Sequence, residues 1–385
     1  MIIAAIKETF PREKRTALIP QHVAALKKTG AEVVVEAGVG VESLHSNADY
    51  EQAGARVETR RERLLAEADV VLVVRGPGAY REFAAADLDR LKKGAALIGF
   101  LEPLAEPEVM NTLAARGLTL FSMELIPRIT RAQSMDALSS MANIAGYKAV
   151  LLAADTSSKM FPMMMTAAGT VTPARVFVLG AGVAGLQAIA TAKRLGAVVE
   201  AYDVRPEVKE QVQSLGGRFV ELDLKTEAQG TGGYAAAQSE EFYRRQQEML
   251  AKHFKTADVV ITTALVPGRK APVLISEEMA GHLSPGAVVI DLAAEKGGNC
   301  AVTEPGRTIN YKGVTIVGPV NLPSEVPFHA SQMYSKNVSA FTALLVKGGQ
   351  LQLNLEDGIV KGTLVAHGGQ VTHPAVLKAL GEQGG

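Results

Sequence analysis

Gly180, Gly182, Gly185 and Asp203 have the types and spacing to hold a dinucleotide. The glycines keep G-x-G-x-x-G spacing directly after the apolar run Arg175–Leu179. In such a site Gly180 permits the tight turn, Gly182 lets backbone approach a pyrophosphate, and Gly185 lets helix and strand pack closely. A helix is expected from Val183, with Leu186, Ile189, Ala190, Lys193 and Leu195 near helical spacing and Gly196 closing it. Its first turn would offer unpaired N–H groups and a positive dipole end to phosphates. A second expected strand, Val198–Tyr202, ends on Asp203, eighteen positions after Gly185. A carboxylate there accepts hydrogen bonds from both ribose hydroxyls and repels a 2′-phosphate, favouring NAD(H) over NADP(H). Arg205, two residues on, is a cation that could meet such a phosphate.

A bare glycine pattern is weak evidence, and a ligand-free βαβ turn is the competing reading. Here strand, turn, helix, strand and terminal acid fall in register, which is the context the motif requires.

The elements around this unit alternate in the same way. Residues 2–6, 32–36, 70–74, 97–100 and 118–121 read as strands, with a helix opened by Pro20 and another over 107–116. Wholly apolar five-residue runs such as 70–74 suit a parallel sheet covered on both faces. Residues 136–155 read as one long helix connecting two domains, and a helix over 331–347 is expected to return to the first. The fold class that follows is α/β, with two Rossmann-like, doubly wound parallel-sheet domains, the first discontinuous. Residues 1–137 plus 328–385 would form the first domain and 138–327 the nucleotide domain. Residues 160–173, with their methionines and prolines, read as hinge or cleft lining. Residues 225–240, rich in Gly, Ala and Gln around Tyr234, read as disorder or a functional lid. The tail from 350 has too little apolar periodicity to assign.

Composition narrows the rest. Lys plus Arg and Asp plus Glu are forty each, so no net field draws nucleic acid or an anionic membrane. The single cysteine, Cys300, forms no internal disulfide and suits a reducing compartment. There is no secretory leader pattern at the N-terminus, and no apolar run is expected to reach the roughly 20 residues of a spanning helix. A cytoplasmic protein is expected. None of the seven histidines pairs with Cys, Asp or Glu at metal-ligand spacing, so no metal site is expected. Without a G-x-S-x-G or P-loop signature, the reactive atom belongs to the coenzyme and the protein supplies orientation. The other polar concentration, at 123–140, holds Arg128, Arg131, Gln133, Asp136 and Ser139. It reads either as a solvated loop whose Ser134 or Asp136 caps the next helix, or as part of a nicotinamide cleft.

Several blocks together carry a resemblance: ETFPREKRTALIP, MELIPRITRAQSMDALSSMANIAGYKAV, GAGVAGLQAIATAKRLGA with DVR, GGYA, and ITTALVPGRKAPVLI with IDLAAEKGGNC. From Met1 to about Lys347 the chain resembles the NAD(H)-binding first domain of proton-translocating nicotinamide nucleotide transhydrogenase. The resemblance implies a homodimer of two-lobed subunits that binds NAD(H). It further implies direct hydride exchange with NADP(H) on a partner subunit, coupled to proton movement through membrane-embedded partner subunits. The activity would be that of a Re/Si-type NAD(P)+ transhydrogenase, catalytic only with its partners, in the cytoplasm and peripheral to the inner membrane.

By motif match, Arg128, Gln133 and Asp136 would attend the nicotinamide, with Gln133 bridging toward the partner's nucleotide and Ser139 touching the carboxamide. Asp203 would hold the adenosine ribose, and Tyr234 would sit in a closing lid. Val183, Val204, Arg205, Thr263, Ala264 and Leu265 would complete the coenzyme contacts. Alanine dehydrogenase is the second resemblance, and a non-catalytic NAD-binding subunit is a third possibility. Arg15 matches the carboxylate-binding arginine of the dehydrogenase pattern. Arg75, however, stands where that pattern has lysine, and Glu102 and Pro103 follow Phe100 and Leu101 where it has histidine. That loses the proton-transfer pair and leaves Arg15 as a structural ion-pair partner.

Overall fold

The computed structural model describes residues 1–80, 87–221, 240–266 and 268–383. Tyr234 and nearly all of the expected lid lie outside the described residues. The chain divides into two compact units, Met1–Met141 with Pro323–Gly385, and Ala142–Leu322.

In the first unit six strands run parallel: Ile2–Ala5, Glu32–Glu36, Arg56–Glu58, Val70–Arg75, Ala96–Phe100 and Thr119–Ser122. Their spatial order is third, second, first, fourth, fifth, sixth, the doubly wound order. Val70 to Val74 are fully buried, as an apolar strand covered on both faces must be. A bulge between Leu72 and Arg75 disturbs the ladder, and the Val73 carbonyl there accepts the Tyr334 hydroxyl at 2.8 Å.

Tyr334 sits on the helix Pro327–Leu345, which brings the chain back to this unit and makes it discontinuous. The helix buries Ser331 and Ser335, whose hydroxyls accept the N–H groups of Thr16 and Ile19 at 3.0 Å each. Those serines satisfy a buried loop that no ladder reaches. The helix begins at Pro327, a turn before the expected start, because proline at the first position is preorganised for helix.

The unassigned tail is structured. Leu364–His367 joins Thr119–Ser122 antiparallel, Gln370–Val371 follows, and helices cover Gly358–Thr363 and Pro374–Gln383. These strands of four and two residues are too short for a period to show.

The second unit repeats the plan. From one edge the order is Arg218–Phe219, Val198–Tyr202, Arg175–Leu179, Val259–Thr262, Val288–Asp291 and Val314–Val317, all parallel. An antiparallel edge strand, Thr308–Tyr311, has no counterpart in the expected elements.

Two further readings are corrected. The methionine-rich segment forms a β-hairpin, Met164–Thr166 with Gly169–Val171. Met163, Met164, Met165 and Val171 project from it exposed, so they line no core of the chain. The helix Ala137–Thr156 spans 20 residues at a mean hydropathy of 1.2, long and apolar enough to cross a membrane, contrary to expectation. It nonetheless behaves as a core helix, since Ala149, Val150 and Ala153 are fully buried in the second unit's core. At Gly146 a Cβ would come 2.1 Å from the Ala184 carbonyl oxygen, so the two helices touch backbone to backbone.

Candidate functional site

The glycine turn lies where the strand order of the second unit reverses, between Arg175–Leu179 and its neighbours Val198–Tyr202 and Val259–Thr262. In open α/β sheets this edge is the ligand crevice. Gly180 has φ +95°, and its N–H donates to the Tyr202 carbonyl at 2.8 Å. A Cβ on Gly185 would lie 1.8 Å from the Gly180 carbonyl oxygen, so only glycine lets the helix start there. Gly182 differs. It caps the helix Val183–Arg194 at φ −74°, and a Cβ would meet nothing within 4 Å. No side chain caps the N-terminus, and no acid lies in the first turn. Open backbone and an uncapped helix end are what a pyrophosphate needs, so these residues fit the phosphates of a dinucleotide.

Asp203 is buried at the end of its strand and already holds four donors. Oδ2 accepts the Ala181 N–H at 2.7 Å and Arg205 Nη2 at 2.9 Å; Oδ1 accepts the Arg205 N–H and Nε, both at 2.9 Å. A carboxylate offers about four lone-pair sites, so a ribose must displace Arg205 to bind both its hydroxyls there. The acid therefore has two roles: it ties the second strand to the glycine turn, and it restrains the cation nearest the ribose.

Thr263, Ala264 and Leu265 follow the strand Val259–Thr262 at the same sheet edge. Thr263 Oγ1 donates to the Gly180 carbonyl at 3.0 Å, bracing the turn. Leu265 is 42% exposed. Val183 is half-buried at the helix start, and Val204 packs against the core beside Tyr202.

The loop residues Arg128, Gln133, Asp136 and Ser139 belong to the first unit. Arg128 and Gln133 are exposed around the 3-10 helix Thr130–Met135. Buried Ala132 and Met135 anchor that helix, and Asn337 Nδ2 donates to the Ser134 carbonyl at 2.9 Å. The capping role is present: Asp136 accepts the Ser139 N–H at 2.9 Å and its hydroxyl at 2.6 Å. Arg131 is instead bound to Asp357 at 2.5 and 2.8 Å, and this pairing lowers the Asp357 carboxyl to about 2. Sequence reading missed both anchors, Asn337 and Asp357, which lie more than two hundred residues further along the chain.

The first unit also shows what became of the dehydrogenase-like positions. Arg15 is buried and bound by Glu13 through Nε at 2.8 Å and Nη2 at 2.7 Å. Arg75 Nε lies 3.3 Å from the same carboxylate, with its guanidinium 4.2 Å over the Phe10 ring. Arg15 is thus a structural ion-pair partner. Leu101 and Glu102, the latter at φ +53°, donate their N–H groups to Glu124 at 3.2 and 2.8 Å.

Desolvation, then the nearby Glu102 charge, raises the Glu124 carboxyl to about 7. A raised acid pKa stabilises the fold below the unfolded value of about 4.5 and loses that stabilisation as pH climbs toward 7. Glu124→Gln should remove this component. The gap in thermal midpoint between wild type and variant should therefore move against wild type from pH 4.5 to 7; parallel midpoints across that range would refute it.

Known proteins agree with this geometry. A family model described as alanine dehydrogenase/PNT, N-terminal domain, matches residues 4–145, and its C-terminal-domain counterpart matches residues 149–374. The chain is 48% identical over 381 residues to a curated relative from Rhodospirillum rubrum, the first portion of a divided NAD(P) transhydrogenase subunit alpha, covering 98% of this chain and 99% of that one. The crystal structure of transhydrogenase from Sinorhizobium meliloti is similar at 46% identity and a TM-score of 0.86, covering 97% of this chain and 100% of that one. An L-alanine dehydrogenase structure is similar at 25% identity and a TM-score of 0.81, with 99% of each chain covered. The chain therefore belongs to the alanine dehydrogenase/PNT family, on the side of it that holds the transhydrogenase alpha subunits.

Proposed function

We propose that the chain is the NAD(H)-binding component of a proton-translocating nicotinamide nucleotide transhydrogenase of the Re/Si type. In this reading it works with an NADP(H)-binding subunit and membrane-embedded subunits, at the cytoplasmic face of the inner membrane. What carries the proposal is one conjunction: a ligand-ready glycine turn with Asp203 at its edge, in a chain 48% identical end to end to a transhydrogenase alpha subunit.

The bound coenzyme supplies the hydride. The chain's own residues bind and orient. The helix N-terminus at Val183 meets the pyrophosphate, and Asp203 takes the adenosine ribose once Arg205 yields. Val204, Thr263, Ala264 and Leu265 line the nucleotide, and Tyr234 belongs to the segment that covers it. Arg128, Gln133, Asp136 and Ser139 attend the nicotinamide end. Gln133 is exposed, as a residue reaching toward a partner's nucleotide must be. Direct transfer between two rings needs no side-chain acid or base, only close alignment and exclusion of water. The commitment of Arg15 and Arg75 to Glu13 supports this reading over amino-acid oxidation. The test is to assay the purified chain with L-alanine and NAD+, and separately with NADH, NADP+ and the NADP(H)-binding subunit. Turnover is expected only in the second mixture, and NADH formed from L-alanine alone would overturn the proposal.

We also infer a homodimer, supported by the apolar hairpin, where Met165 is 78% exposed. Exposed contiguous apolar surface marks association sites, and methionine adapts well to a partner. Met165→Glu should shift sedimentation toward monomer; an unchanged dimer would remove this support.

A further inference from the structure

We propose that Asn299 is a positioning residue for the coenzyme: its side-chain amide grips both faces of the Ala264 peptide and sets the orientation in which Thr263, Ala264 and Leu265 meet NAD(H). The inference rests on the NAD(H) reading above.

Asn299 is fully buried. Its Oδ1 accepts the Ala264 N–H at 2.9 Å, while Nδ2 donates to the Ala264 carbonyl at 2.9 Å and the Pro272 carbonyl at 2.8 Å. The opposite amide orientation would set donor against donor and acceptor against acceptor, so the network dictates this one. The strand Val259–Thr262 has ended two residues before Ala264, and the side chain does there what a neighbouring strand does within the sheet. Every hydrogen-bonding atom of the Asn299 amide thus acts on main chain, and a hydrocarbon of equal volume would fill the space without fixing the peptide.

The amide is itself held from below. Asp291, fully buried at the end of Val288–Asp291, accepts the Asn299 N–H at 2.8 Å and the Cys300 N–H at 3.0 Å on Oδ2. The same oxygen takes the Thr303 hydroxyl at 2.8 Å. Oδ1 takes the Thr262 hydroxyl at 2.9 Å and the Ala293 N–H at 3.0 Å. The intervening turn uses Gly297 and Gly298 at φ +95° and +77°, and a Cβ on Gly298 would stand 2.9 Å from Asp291 Oδ2. Strand end, glycine turn and amide thus form a rigid prop under the residues next to the glycine turn of the coenzyme site. Freeing the Ala264 peptide would let Leu265 swing away from the nucleotide.

The experiment is calorimetric titration of the full chain with NADH. Asn299→Ala should weaken binding by about tenfold or more. Asn299→Asp should bind poorly at about pH 8 and recover toward wild type near about pH 5.5, where a protonated carboxyl again offers a donor and an acceptor. Thr303→Val, which removes a donor from Asp291 without touching the Asn299 amide, should leave NADH affinity within about twofold of wild type. The proposal is overturned if Asn299→Ala binds like wild type, if Asn299→Asp shows no recovery on acidification, or if Thr303→Val weakens binding as much as Asn299→Ala. Should Asn299→Ala not fold, the pH profile of Asn299→Asp decides. Failure of the wild type itself to bind NADH would instead remove the coenzyme reading.

Discussion

Gly182→Ala is expected to fold like wild type and lose NADH binding, whereas Gly185→Ala loses both. The two residues belong to one motif, but the structure separates their reasons. At Gly182, φ is −74° and an added methyl meets no protein atom within 4 Å, so the fold bears it. Replacing glycine where the backbone already suits alanine is worth about +0.4 to +1 kcal/mol through the unfolded state. The same methyl would stand where a pyrophosphate must approach. Holding the phosphates even an ångström from the helix end should weaken NADH by at least about tenfold, or about 1.4 kcal/mol.

At Gly185 the methyl would lie 1.8 Å from the Gly180 carbonyl oxygen. That atom is main chain and cannot rotate aside, so helix and strand must separate. Overpacking costs about 1–3 kcal/mol where side chains can yield, and backbone contact belongs at or beyond the upper end. Thermal midpoints alongside NADH titrations distinguish the two effects. Wild-type affinity in Gly182→Ala would place the pyrophosphate elsewhere.

Asp203→Ala should collapse the preference for NADH over NADPH. Bonds to a charged acceptor contribute about 1.5–3 kcal/mol each, so losing even one to the ribose weakens NADH by about ten- to a hundredfold. The substitution also releases Arg205, whose Nε and Nη2 now bind the carboxylate at 2.9 Å each. A guanidinium freed at this position suits a 2′-phosphate, so NADPH should bind more tightly to the variant than to wild type. Parallel titrations with both coenzymes measure the ratio, and a ratio unchanged by the substitution would mean that Asp203 only braces the turn.

Much of this was legible in the sequence because the signals are local. The strand Arg175–Leu179, the helix start at Val183 and the strand Val198–Tyr202 fall where glycine spacing and apolar runs place them. The discontinuity of the first unit was legible from the apolar pattern of the returning helix. What stayed hidden depends on partners far apart in the chain or on side-chain conformation. Arg131 meets Asp357, Asn337 meets the Ser134 carbonyl, and Asn299 reaches back to Ala264, pairings that no residue spacing announces. The capture of Arg205 by Asp203 is local, yet sequence allowed the arginine either a phosphate or an acid. The methionine-rich segment misled because methionine suits cores and docking surfaces alike, and only its exposure on a hairpin tells them apart.

The most direct test follows deuterium carried on C4 of NADH into a mixture of this chain, NADP+ and the NADP(H)-binding subunit. The account predicts that the label arrives in NADPH without passing into water, and only when that subunit is present. Label released to solvent, or delivered to pyruvate and ammonia by this chain alone, would contradict it.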